Sequence, residues 1–197
     1  MCAKNILMQL LYNRLMRNDF KPSDFEFKYH EGYCTLSTIN MYHTALLKIR
    51  VKSDVESETK ILPLKEVINR TFNYESGSDY TKRTAPAPLY YDIFDDLIFD
   101  KEGYVACDYT ELSKIFRVYS YSSILIKQPH RGDAVFSIDF LKSVFFERPE
   151  SEVFMKVRQD DGIVFINYEF SCFDVYAAVA PRVTDQWDAD VILRLKE

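Results

Sequence analysis

The chain has 197 residues, with 25 Lys and Arg against 30 Asp and Glu, so its formal net charge is -5 at pH 7; 47% of it is hydrophobic and 15% aromatic. That apolar content offsets the entropy of ordering without disulfide or metal staples, excludes wholesale disorder, and suits one large or two small globular domains. The glycines never cluster within the six to eight or so positions that a phosphate-cradling loop needs, so P-loop and Rossmann fingerprints are absent. No apolar run reaches the roughly 18 residues of a membrane-spanning helix, and Gln9, Asn13 and Arg14 interrupt the N-terminal apolar stretch, so neither a span nor a signal peptide is expected. Cys2, Cys34, Cys107 and Cys172 are widely spaced in apolar surroundings. That is the pattern of free thiols in a reducing compartment, and an intracellular setting, nuclear or cytoplasmic, is expected.

Residues 4–18 set Leu7, Leu11 and Leu15 on one stripe, the repeat of a helix whose only charges are Lys4, Arg14 and Arg17. Alternating runs over 25–29, 33–39 and 44–51 predict three strands joined by turns at Glu31-Gly32 and near Asn40. Pro63, whose ring suits a first helical position, opens a second predicted helix with Leu64, Val67, Ile68 and Phe72 apolar. Regular structure is expected to lapse over 73–88, which ends in Ala-Pro-Ala-Pro and divides the chain into a unit of residues 1–88 and a unit of residues 89–197. An aromatic pattern resumes at 89–94, followed by a strand over 104–109. Thr110 and Glu111 lead a short helix bearing Leu112, Ile115 and Phe116, and 121–127 is another strand. Arg131-Gly132-Asp133 is expected as a turn, and 136–146 passes from strand into a fourth short helix closed by Pro149. Residues 152–158 and 163–170 alternate around the hairpin signal Asp161-Gly162, and 175–180 and 191–195 supply two more strands. Four short helices among antiparallel meanders predict an α+β fold with the helices on one face of the sheets.

Nothing in this pattern brings together a nucleophile, a base and a stabilising group, so neither an enzyme nor a cofactor is expected. His30, Cys34 and His43 are too loosely spaced for a metal knuckle. Asp95-Asp96 and Asp160-Asp161 are adjacent carboxylates that point to different sides.

Three collinear segments resemble the sliding-clamp family, that of proliferating cell nuclear antigen (PCNA) and its checkpoint relatives. Residues 134–184 are similar to the family's last half-domain: Ala-Val-Phe-Ser-Ile-Asp-Phe-Leu-Lys-Ser-Val-Phe opens it, a hairpin comes next, and Tyr176-Ala-Ala-Val-Ala-Pro-Arg-Val183 resembles its closing strand. Residues 25–52 are similar to the early strand pair, with His43 at the position of a recurrent histidine, and 89–118 to the connector between clamp domains with the strand and helix after it. The resemblance implies a DNA-clamp-like fold of antiparallel sheets, four short helices on one face and two pseudo-repeated domains. It also implies a non-enzymatic scaffold in DNA replication, repair or checkpoint pathways that holds partner proteins and duplex DNA. A second reading is an interaction module with the same fold that does not touch DNA, an assembly partner or inhibitor of a clamp. Between the second and third helices, and again between the third and fourth, the chain is too short for full βαβββ units. Missing strands favour a monomer or two-fold dimer over a ring, with homo- and hetero-oligomers both open.

By the same resemblance the helices turn Lys4, Arg14, Arg17, Lys65, Arg70, Lys114, Arg117 and Lys142 toward DNA, although Glu66, Glu111 and Asp139 share those helices. A groove for short partner peptides maps onto Ile93, Phe94, Leu97, Ile98 and Phe99 of the connector and onto Val179, Ala180, Pro181 and Arg182. With Asp92, Asp95, Asp96 and Asp100 at its rim, such a groove suits aromatic or aliphatic anchors flanked by basic residues. The alternative is that these apolar side chains cover the domain junction.

Overall fold

Period-two alternation puts successive side chains on opposite faces of a sheet, and the strands of this chain use both faces. The computed structural model describes residues 25–30, 33–39, 45–52, 60–63, 102–145, 148–149, 152–170, 173–183 and 188–196, with side chains at 45–50 and from 102 onward. Strands β1 (Phe25–His30), β2 (Tyr33–Ile39) and β3 (Ala45–Lys52) form an antiparallel meander. Strand β4 (Lys60–Pro63) pairs with β1 and places Pro63 opposite Glu26. Pro63 therefore ends β4, which is an edge strand among the described residues and tolerates the missing N–H, so it stands in a strand and not in a first helical turn. The predicted helix over 4–18, the body of the second helix, the linker 73–88 and the connector residues 89–99 lie outside the described residues.

The C-terminal part runs β5 (Val105–Cys107), α1 (Tyr109–Phe116), β6 (Ser123–Gln128), β7 (Gly132–Ser137), α2 (Ile138–Ser143), β8 (Val153–Val157), β9 (Val164–Glu169), β10 (Phe173–Val179) and β11 (Val191–Arg194). It holds two strand–helix–strand units, β5–α1–β6 and β7–α2–β8, and only the second continues into β9 and β10. Between β6 and β7 stand only Pro129, His130 and Arg131, so the first unit lacks the further strands of a βαβββ module. Gly132 and Asp133, expected in the turn, begin β7 instead. His130 absorbs the tight reversal with a left-handed φ of 59°.

Among the described residues, eight strands form one sheet in the order β4-β1-β2-β3-β10-β9-β8-β5, and three form a second in the order β11-β6-β7. Among these strands every pairing is antiparallel except β11 with β6. The seam between the early meander and the later strands is a seven-residue ladder, Ala45–Val51 against Phe173–Val179.

Between the two sheets lies the main core. Leu47 and Ile49 of β3, Met155 of β8, Ile166 and Tyr168 of β9 and Val175 of β10 meet Ile124 and Ile126 of β6, Phe136 of β7, Leu112 of α1 and Leu141 of α2. Each of these burials removes apolar surface from water, which contributes about 1.5–3 kcal/mol per large side chain. An aromatic chain fastens the helices to the large sheet. Phe145 lies 5.4 Å from Tyr109, 5.7 Å from Phe116 and 5.3 Å from Tyr168, and the Tyr168 hydroxyl donates to the Val144 carbonyl at 2.6 Å. On the opposite face of the large sheet, Leu46, Phe165, Tyr176 and Ala178 form a second cluster. There Arg50 lies over the Tyr176 ring and Lys156 over the Tyr104 ring.

Candidate functional site

Helix α1 begins where Asp108 takes the N-cap and accepts a hydrogen bond from the Thr110 N–H at 2.7 Å, which holds its carboxyl below the usual carboxylate range. The cap moves the helix start to Tyr109, inside the predicted strand 104–109. With Leu112 buried, the 3.6-residue repeat turns Glu111, Lys114 and Arg117 outward. Helix α2 buries Ile138 and Leu141 and exposes Asp139 and Lys142. Three of the eight predicted DNA-facing cations, Lys114, Arg117 and Lys142, are thus exposed on helices. Lys4, Arg14, Arg17, Lys65 and Arg70 lie outside the described residues.

The predicted peptide groove is represented by the segment after β10, since Ile93, Phe94, Leu97, Ile98 and Phe99 lie outside the described residues. Val179 is fully buried, paired with Ala45 across the seam, so its side chain faces the core and offers nothing to a groove. Beyond it the chain comes to the surface. The Arg182 N–H donates to the Val135 carbonyl at 2.7 Å and pins the segment along the edge of β7 away from β6. Pro181 and Arg182 line a cleft of about 240 Å³ whose opposite wall is the β8–β9 hairpin.

That hairpin turns through Gln159, Asp160, Asp161 and Gly162, with the Arg158 N–H donating to the Ile163 carbonyl at 2.8 Å and the Gly162 N–H to the Arg158 carbonyl at 2.9 Å. Arg158 forms an ion pair with Asp161 within it, and this bond holds the Asp161 carboxyl down. Gly162 has φ 69°, a left-handed conformation that strains other residues, and a Cβ there would sit a tight 3.2 Å from that of Ala134, so glycine is favoured where the hairpin closes on β7 and Pro181.

A larger open cleft of about 850 Å³ adjoins this one and shares Gly132, Asp133 and Gln159 with it. It lies at the β6–β7 turn, and its cations are Lys127, Arg131, Arg194 and Lys196. Lys127 is paired with Asp133 at 2.8 Å. The parallel register sets Arg194 beside Lys127 on the other side, a like-charge neighbour that costs stability unless an anion is shared. Arg131 packs its guanidinium where a Cβ of Gly103 would stand. Gln128, nearly buried, joins the sheets below this cleft, donating to the Gly103 carbonyl at 2.7 Å and accepting from the Val157 N–H at 2.7 Å. No motif in the sequence marks these cations as a group. The one local signal is the alternation Arg194-Leu195-Lys196, which aims two charges from one strand face.

Strand β11 reaches this place through a carboxylate. One oxygen of Asp190 accepts from the Ser122 N–H at 2.7 Å, the Ser123 N–H at 2.9 Å, and the Ser123 and Ser122 hydroxyls at 3.0 and 3.1 Å. Those bonds, the backbone N–H of Ser122 foremost, lower its pKa to about 2. Burial, with Glu111 and Asp108 nearby, pushes the Cys107 thiol up to about 12, so it stays protonated at neutral pH and supplies no nucleophile.

The sequence matches no family model and no curated protein. Solved structures match in fold. The structure of A. fulgidus PCNA with the C-terminal region of FEN-1 bound aligns at a TM-score of 0.61 with 11% identity, covering 92% of this chain and 97% of that one. The β subunit of DNA polymerase III from Thermotoga maritima aligns at 0.54 with 15% identity over 89% of this chain and 64% of that one. The PCNA2–PCNA3 complex of Sulfolobus tokodaii aligns at 0.55 with 8% identity over 90% and 96%. By these alignments the chain has the sliding-clamp fold, in a divergent sequence.

Proposed function

We propose that the protein is a non-enzymatic clamp-like scaffold that holds partner proteins, and duplex DNA, in replication, repair or checkpoint work inside a reducing compartment. The observation that carries this reading is the open cleft beside Pro181 and Arg182 on a sliding-clamp fold. A cleft of that size takes one or two side chains of an extended segment, and the connector residues Ile98 and Phe99 are proposed to complete it. Replacing both with Ser is expected to abolish capture of a peptide carrying aromatic and aliphatic anchors while hardly moving the thermal midpoint. Unfolding of that variant would make the two residues core and sink the partner-binding reading.

The second reading, an interaction module that leaves DNA alone, has an observation of its own. On α1 and α2 the exposed charges are Glu111, Lys114, Arg117, Asp139 and Lys142, three cations against two carboxylates, a sparse surface for phosphates. Lys114→Glu with Arg117→Glu is expected to weaken binding to duplexes of any sequence, and the parent's affinity to fall steeply with salt. Absence of duplex binding by the parent at low salt favours the module.

A further inference from the structure

The two adjoining clefts differ from the predicted groove in the sign of their charge. Among the described residues, Arg131, Arg182, Arg194 and Lys196 have no carboxylate partner, while the two carboxylates that line the clefts, Asp133 and Asp161, are already paired with Lys127 and Arg158. These four unpaired cations come from three parts of the chain, the β6–β7 turn, the segment after β10 and the end of β11. Arg131, Arg194 and Lys196 line the larger cleft and Arg182 the smaller, and the two clefts meet at Gly132, Asp133 and Gln159 to give one cationic rim.

We infer that this rim recognises an acidic flank of a partner peptide whose apolar anchor enters the cleft beside Pro181. The inference rests on the partner-binding reading above and replaces the basic flank that the sequence suggests with an acidic one. A peptide fits the two clefts better than a nucleic acid does. The smaller cleft is floored by Ala134, Val135 and Val157 and walled by Pro181, which suits an aliphatic or aromatic side chain, with Arg182 beside them in its lining. The larger is lined by no Phe, Tyr or Trp, and its one aromatic ring, the exposed imidazole of His130, is a poor platform for a run of stacked bases. Guanidinium groups also bind carboxylates through two parallel N–H bonds, so Arg131, Arg182 and Arg194 suit Asp and Glu side chains.

The test uses the whole chain and three fluorescent peptides that share a Phe-Leu anchor and differ in a flank of four Glu, four Gln or four Lys. By anisotropy the Glu peptide is expected to bind about tenfold tighter than the Gln peptide, the sum of a few exposed ion pairs. The Lys peptide is expected to bind more weakly than either. The advantage should shrink as salt shortens the Debye length to about 8 Å at 0.15 M. Arg194→Glu with Lys196→Glu should reverse the order of the Glu and Lys peptides. Arg182→Glu should do the same in part and cannot disturb β11. Equal binding of the Glu and Gln peptides overturns the inference and leaves the partner-binding reading standing. Absence of binding by all three overturns both. Duplex DNA binding that is lost in the Arg194/Lys196 variant, without a preference for the Glu peptide, assigns the rim to phosphates and overturns the acidic flank.

Discussion

The two strand–helix–strand units of the C-terminal part start alike and end differently. The second, β7–α2–β8, runs on through hairpins into β9 and β10, and its strands carry residues buried on both faces, such as Ile166 inward and Phe165 outward. The first, β5–α1–β6, stops at a three-residue turn and leaves one edge of β6 without a neighbour close in sequence. β11 takes that edge in parallel, arriving from beyond β10 and held at its start by the Asp190 carboxylate. A hairpin strand is held by its turn and its burial; a recruited strand depends on its anchor. The shortened unit is therefore closed by a local anchor together with Leu193 of the recruited strand in the core, and the full unit by its turns and the core.

The sharpest way to break this comparison is to cut into each unit's own support. Ile166→Ala, at a fully buried position of β9, is expected to cost about 2–5 kcal/mol, with the urea midpoints by fluorescence and circular dichroism falling together, because the full unit belongs to the global core. Asp190→Ala should act locally: amides of Val191–Arg194 lose hydrogen-exchange protection while those of Val164–Glu169 keep theirs. Parallel loss in both strands would make β11 part of the global unit and erase the distinction. The same anchor has a pH signature. Its folded pKa, about 2, lies below the ordinary value of 3.8, so its contribution is complete above the unfolded value and is lost as pH falls toward the folded one. Protection of β11 in the parent should accordingly fade between about pH 4 and pH 2, and in Asp190→Ala show no such step. The smallest effect is expected at the hairpin tip. The Arg158 and Asp161 side chains are 31% and 38% exposed, so Arg158→Ala should cost no more than about 1 kcal/mol.

How much of the fold is legible in the sequence depends on how local each signal is. The strands around Asp161-Gly162, helix α1 and helix α2 carry their periodicity, caps and turn residues within a short stretch of chain, and the structure has all three in place. β4 escapes a sequence reading because Pro63 suits a first helical turn and an edge strand equally well, and only its partner, β1, decides between them. Gly132-Asp133 reads as a turn because the reversal falls on His130, a residue with no strong turn signal that nonetheless adopts a left-handed φ. Among the candidate sites, spacing alone is enough to place Lys114, Arg117 and Lys142 on outward helix faces. It is not enough for Val179, whose burial depends on Ala45 across the seam. The cations of the larger cleft are illegible for the same reason: Arg194 stands beside Lys127 only once β11 has paired with β6.

The seam between β3 and β10 also has a consequence for how the protein is made. Arg50 and its partner Asp174 are 124 positions apart, and β3 can pair on its second edge only when β10 exists. At about 5–20 residues per second of synthesis, the β1–β2–β3 meander emerges some 6–25 s before the strand that completes it. For that interval β3 presents an unpaired edge with Leu46, Leu47 and Ile49 around it, the kind of surface that attracts other nascent chains. Slow translation between the two strands would lengthen the exposure, and a chaperone bound to that edge would cover it until β10 arrives.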